Sequence, residues 1–333
     1  MQNLLLATAI ADAFGAGVEF QDRDWIRQNV DFTKFVNARH TINVPEEKKS
    51  LFTKNYQAWD YTDDTEMTIG TIKALMSDES FTEELLVKKW RAEYQKGISE
   101  KGVGRNGHGS MSWYYSGEMT IDQVRDFQRD RPNPGNAPAM RAVPLGLISE
   151  ELINEYAAIN ARATHPNINA IISSQCIARA AEFILVKKGK PSEVIAYCQE
   201  KITLNPEYKK YLDQVAQLPV YEKLNDTHFE ILCGPQPIKA PYFLPGIKGV
   251  PSDSKYTTGC VLYILRNSYN AMDALRKSVH LGGDVDSVAS ITTAIMAEKT
   301  GLKSIPNFML ENIEGKQYLE GIGEAFTRWI KSK

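Results

Sequence analysis

The chain has 333 residues, of which 43% are hydrophobic and 24% charged, and its net charge is −2. That composition is ordinary for a globular protein and excludes the disordered, collagenous and repeat classes. Lys and Arg are scattered and form no stripe, so the electrostatic footprint of a nucleic-acid binder is missing, and a small molecule or another protein is the expected partner.

The N-terminal stretch MQNLLLATAIADAFGAG is apolar but has no basic flank, and Asp12 interrupts it before a signal-peptide cleavage pattern develops. No later apolar run approaches the roughly 20 residues of a bilayer-spanning helix, which leads to the expectation of a cytoplasmic protein. Helical spacing begins at residues 66–77. It continues at 82–97, where Leu86, Trp90 and Tyr94 recur every four residues and form one apolar stripe beside a charged face. Thr120 followed by Gln123 has the pattern of a capping box, and Asn205-Pro206 offers an N-cap with proline at the first helical position. Residues 169–188 predict a long helix ended by Gly189, and residues 287–299 another ended by Thr300-Gly301. In the second, Ala289, Ser290, Thr292, Thr293, Ala294 and Ala297 leave little side-chain bulk, so this helix should be buried among close neighbours. Alternation at period two is nearly absent, and the expected fold class is all-α, a single domain over residues 1–333. Three stretches, 20–60, 98–118 and 232–256, read as long loops of the kind that carry function.

Cys176, Cys198, Cys233 and Cys260 lie far apart without a C-x-x-C pair and read as core thiols of a reducing compartment, neither a zinc site nor a disulfide scaffold. Chemistry concentrates in two acidic clusters. Tyr61-Thr62-Asp63-Asp64-Thr65 runs directly into the first helical pattern, and alone it reads as a helix cap with favourable dipole charge. Gly282-Gly283-Asp284-Val285-Asp286-Ser287 stands before the last pattern, where two glycines permit a tight turn that aims both aspartates at one point. If the clusters converge, four carboxylates meet, and some must take up protons unless cations intervene. Two divalent cations cancel four negative charges. Mg²⁺ and Mn²⁺ prefer oxygen ligands, and the hydroxyls of Thr62 and Ser287 are suitable further donors.

Five segments in consistent order, ADAFGAGVEF at 11–20, YTDDTEM at 61–67, GNAPAMRAVPLGL at 135–147, THPNINA at 164–170 and LGGDVDSVAS at 281–290, give the sequence a specific resemblance to the ADP-ribosylglycohydrolase family. The resemblance implies an all-α fold with a binuclear Mg²⁺ or Mn²⁺ centre in a central cleft. Residue by residue, it puts Thr62, Asp63, Asp64, Asp284 and Asp286 on metal-ligand positions, with Ser287 where threonine is usual, and Asp286 is the expected bridging ligand. Glu19 falls on the position of a mobile-loop glutamate near metals and substrate, although by itself it reads as a surface carboxylate. His165, Gly135 and Asn136 fall on positions that contact ADP-ribose, and the glycine-rich loop at 104–117 makes Gly107 and Gly109 further candidates. His108 in that loop reads as an exposed turn residue. Ala11 and Ala137-Pro138 depart from the family pattern, which prefers glycine before Asp12 and a Gly-Ala pair after Asn136.

The implied reaction is hydrolysis of the bond between C1 of the distal ribose and a modified acceptor, either a protein side chain or a small molecule, with release of ADP-ribose through an oxocarbenium-like state. The carry-over assigns Glu19, Asp64 and Asp286 to catalysis. Two other readings stand beside it: an ADP-ribose-binding protein without turnover, and a magnesium-dependent terpenoid or prenyl synthase, whose second acidic motif would sit mid-helix with four-residue spacing.

Overall fold

The computed structural model describes residues 2–41, 44–106 and 108–333 and is built of helices, with an isolated bridge between Val250 and Gly283 in place of any sheet among the described residues. The helices that position the site are α1 (Leu4–Ala16), α2 (Asp63–Leu75), α3 (Glu83–Lys101), α4 (Ile153–Arg162), α5 (Ile168–Ala181), α6 (Ser254–Arg266), α7 (Ala271–Val279) and α8 (Val285–Thr300). The all-α expectation holds. One continuous apolar core runs through all eight, and a small satellite of Phe52, Tyr56 and Val103 lies apart from it.

Helix α1 is apolar all round and buried along its whole length, as such a composition demands. It packs most extensively against α8, whose residues from Val285 to Ala297 are likewise all buried. The small residues of α8 permit this approach, and Gly15 completes it: a Cβ at that position would stand 2.4 Å from the Cα of Asp286. The expectation that α8 is enclosed by close neighbours is met.

Local sequence signals account for most boundaries. The Thr82 hydroxyl accepts from the Leu85 amide at the start of α3, and left-handed Gly102 ends that helix after Lys101, four residues beyond the apolar pattern at 82–97. Thr120 and Gln123 form a reciprocal capping box, and Asn205 caps the helix that begins at Pro206. The 169–188 stretch differs in detail. Its α-helix gives way at Glu182 to a π-turn, and Lys188, not Gly189, takes the left-handed conformation at φ 56°. The segment Ile168–Val186 has the length and hydropathy of a membrane span, but 72% of it is buried inside the fold, so it serves as a core helix. Two of the three expected loops contain short helices, Arg23–Asn29 and Lys49–Asn55 in the first and Met111–Ser116 in the second. All four cysteines are free and buried.

Candidate metal and substrate cleft

The site lies where the end of α1, the start of α2 and the start of α8 converge. At α2 the unsatisfied amides of the first turn face Asp12, a buried carboxylate on α1. Asp12 accepts from the Thr62 and Thr65 amides at 2.9 and 3.0 Å and from their hydroxyls at 2.7 and 2.6 Å. A carboxylate from another helix thus supplies the N-cap that Thr62 does not provide. The Thr62 hydroxyl donates to Asp12 and keeps its lone pairs for a further partner.

At α8 the double glycine forms the turn that the sequence suggests, with Gly282 at φ 72° and Gly283 at φ 77°. A Cβ on Gly283 would collide with the Val250 carbonyl oxygen at 2.2 Å. The turn is stitched to two neighbouring segments. The Phe20 amide donates to Gly283 O at 2.7 Å, the Gly283 amide to Gln21 O at 3.0 Å, and the Asp284 amide to Val250 O at 2.8 Å. Phe20 itself occupies left-handed space at φ 58°, an uncommon conformation for a non-glycine residue, and these bonds hold it there. Glu19 is thereby set beside the aspartates: oxygens of Glu19, Asp284 and Asp286 lie within 4.8 Å of one another. Glu19 is half-buried, so its reading as a plain surface carboxylate is replaced.

Asp64 joins them from α2, where the Ser290 hydroxyl of α8 donates to its Oδ1 at 3.0 Å and ties the two acidic clusters together. Asn136 donates to Asp284 Oδ2 at 3.1 Å. Burial, followed by mutual repulsion, pushes the Glu19, Asp63, Asp64 and Asp286 carboxyls well above the usual carboxylate range; Asp284 is raised by burial. Among the described residues none of the five makes an ion pair with Lys or Arg. An all-oxygen donor set whose charge the protein leaves uncompensated fits a hard divalent cation.

These groups line a cleft of about 540 Å³, within the range of about 300–1,000 Å³ usual for small-molecule sites. Glu19, Asp63, Asp64, Asp284, Asp286 and Ser287 line one end, and Gly109, Gly135, Asn136 and His165 also face it. Thr62 is buried behind the cleft wall, and Gly107 lies outside the described residues. His108 corrects its reading as an exposed turn residue. It is 2% exposed, with Nε2 2.9 Å from Glu66 Oε2, and burial depresses it to about 3, so it is neutral. Glu66 is held in turn by Arg105, which also forks onto Glu314 and anchors the 104–117 loop to the body of the protein.

Several cleft residues carry no sequence signal of their own. Trp113 and Phe127 meet edge to face at 5.4 Å, Phe20 and Phe243 at 5.0 Å, and Tyr242 and Arg131 stand near them. Phe20, Trp113, Tyr242 and Phe243 come from the three stretches read as loops, Phe127 from the helix Ile121–Arg129 and Arg131 from just beyond it, and they converge only through the fold. Asp12 was visible as a lone acid within an apolar run, but nothing local revealed that it caps another helix.

The sequence matches the family model for ADP-ribosylglycohydrolase over residues 1–332. It is 25% identical to an uncharacterized protein of Archaeoglobus fulgidus, over 96% of this chain and 93% of that one. It is also 21% identical to the ADP-ribosylhydrolase ARH3 of Bos taurus, over 97% of this chain and 91% of the relative. A solved ADP-ribosylglycohydrolase-related protein complex shares the fold with a TM-score of 0.65 at 18% identity, covering 98% of this chain and 96% of its own. With its five ordered motifs and a family match that spans almost every residue, the chain belongs to the ADP-ribosylglycohydrolase family.

Proposed function

We propose that this protein is a metal-dependent hydrolase that cleaves the glycosidic bond between ADP-ribose and a modified acceptor. The observation that carries the reading is the convergence of carboxylates from three distant segments, around Glu19, Asp63–Asp64 and Asp284–Asp286, at one end of a cleft that also contains Gly135, Asn136 and His165. Thr62, Asp63, Asp64, Asp284, Asp286 and Ser287 would hold two divalent cations, Mg²⁺ or Mn²⁺. When bound, such ions supply Lewis acidity and a template for ribose hydroxyls and water.

The chain's own residues do the rest. Glu19, raised in pKa and set beside the aspartates, is suited to take or hold a proton near the scissile bond. Gly135 leaves backbone room beside His165, where a phosphate group fits, and the aromatic pairs of the cleft offer flat apolar surface to a base. The spacing of Asp284 and Asp286 at a helix start does not suit a prenyl synthase. Four free buried thiols favour a reducing compartment, and we assign the protein to the cytoplasm.

The test is a panel of acceptors carrying ADP-ribose on arginine, on serine and on small molecules, incubated with Mg²⁺, Mn²⁺ or chelator and scored for free ADP-ribose. Release from at least one acceptor, abolished by chelator, is the expected result. Tight binding of ADP-ribose with no release from any acceptor would instead make the protein a non-catalytic binder.

A further inference from the structure

We infer that Arg141 and Thr164 form a relay that fixes His165 as an imidazole protonated on Nε2, so that the cleft presents an N–H donor to an anionic ligand group. The function proposed above enters only in naming that group as a diphosphate. Arg141 is fully buried and, among the described residues, has no carboxylate partner. Its guanidinium lies 3.7 Å from the centre of the Trp90 ring, and Nη1 is 3.4 Å from Met67 Sδ. Nε donates to Asn160 Oδ1 at 2.8 Å, and Nη2 donates to Asn160 O at 3.0 Å and to Thr164 Oγ1 at 2.8 Å. A cation stripped of water and of counter-charge is costly and has to serve some purpose. Burial lowers it to about 9, which leaves it protonated at neutral pH.

The relay follows from donor and acceptor inventory. Arg141 can only donate, so Thr164 Oγ1 accepts from it and must send its own proton elsewhere. The acceptor in reach is His165 Nδ1, 2.7 Å away. An imidazole that accepts at Nδ1 while neutral carries its proton on Nε2. It is neutral because burial, then Arg141 and Arg131, hold it well below its ordinary value. Nε2 has no hydrogen-bond partner among the described residues, and it lies beside Gly135, where an added Cβ would come within 3.1 Å of it. His165 lines the cleft and is 5% exposed. With the opposite tautomer, the same imidazole would turn a lone pair toward the ligand and repel an anion. Arg141 thus acts through two neighbours as a positioning residue, and the charge-assisted first bond polarises the second.

The experiment reads the tautomer directly. Ligand-free protein labelled with ¹⁵N-histidine is compared with Thr164→Ser and Thr164→Val, and His165→Gln assigns the resonance. The wild type and Thr164→Ser should show Nε2–H, whereas Thr164→Val should move toward Nδ1–H. Loss of that one donor bond should weaken ADP-ribose binding about tenfold in Thr164→Val, with Thr164→Ser restored to near wild type. A wild-type spectrum with the proton on Nδ1 overturns the inference, as does a Thr164→Val protein with unchanged spectrum and affinity. A wild-type spectrum can overturn the relay even where variants fold poorly. Because it is taken without ligand, it can also do so where ADP-ribose fails to bind, a result that would instead contradict the function proposed above.

Discussion

Asp12 shows how one side chain can connect fold and chemistry. It lies fully buried in an otherwise apolar helix, and the four hydrogen bonds it accepts from Thr62 and Thr65 seat the first turn of α2, where Asp63 and Asp64 begin. Asp12→Asn keeps the shape but turns an amide N–H₂ toward donors, leaving buried N–H and O–H groups without an acceptor. Destabilisation of about 3 kcal/mol is expected, measured by urea unfolding, together with a loss of metal affinity that calorimetry would register. An Asp12→Asn protein with wild-type stability and metal binding would show that this cap is dispensable. His108 and Glu19 teach a related lesson. Their residue types and local spacing suggested surface positions; for Glu19 the family resemblance already pointed to the site and the Gly282-Gly283 turn sets it there, whereas for His108 only its tertiary partner Glu66 reverses the reading.

Among the elements, α1 and α8 carry the largest share of the geometry. Their contact is close because Gly15 offers no side chain where Asp286 passes. Gly15→Ala must push the two helices apart or displace Asp286, and overpacking of this kind costs about 1–3 kcal/mol. Thermal melts should show the lower stability, and metal affinity should fall as well; a variant that melts like the wild type and binds cations normally would mean that the helices can separate without moving Asp286. Helix existence and caps were legible from the sequence because they rest on local signals: the Thr120–Gln123 box, Asn205 before Pro206, and the small-residue pattern of α8. The details that escaped are those set by neighbours. The continuation of α3 to Lys101, the π-turn after Ala181 and the short helices within the first two loops have no periodic apolar pattern to announce them.

For the whole molecule, the carboxylate cluster imposes a pH dependence of definite sign. Glu19, Asp63, Asp64 and Asp286 are held well above their ordinary values of 4.5 for Glu and 3.8 for Asp. The folded state therefore binds more protons than the unfolded chain once the pH exceeds those values, and its stability falls as pH rises toward the raised ones. Metal-free protein should lose melting temperature over that interval. Saturating Mg²⁺ should remove or reverse the trend, because cations replace protons in neutralising the cluster. A melting temperature that rises with pH in the presence of chelator would contradict this electrostatic picture. The acidic motifs themselves were plain in the sequence, since Asp63–Asp64 and Asp284–Asp286 each open a helix. Their meeting was legible only as an expectation, through charge arithmetic and family resemblance. The aromatic wall from Trp113, Phe127 and Phe243 was not legible at all, because nothing local distinguishes a cleft aromatic from a core one.

Two distant acidic turns that form one cage for hard cations should be visible when Mn²⁺ is titrated into metal-free protein and followed by calorimetry. Two ions per chain should bind to the wild type, and Asp64→Ala should lose at least one of them together with roughly a hundredfold of activity. A wild-type protein that binds no Mn²⁺, or an Asp64→Ala protein that still binds two, would contradict the account.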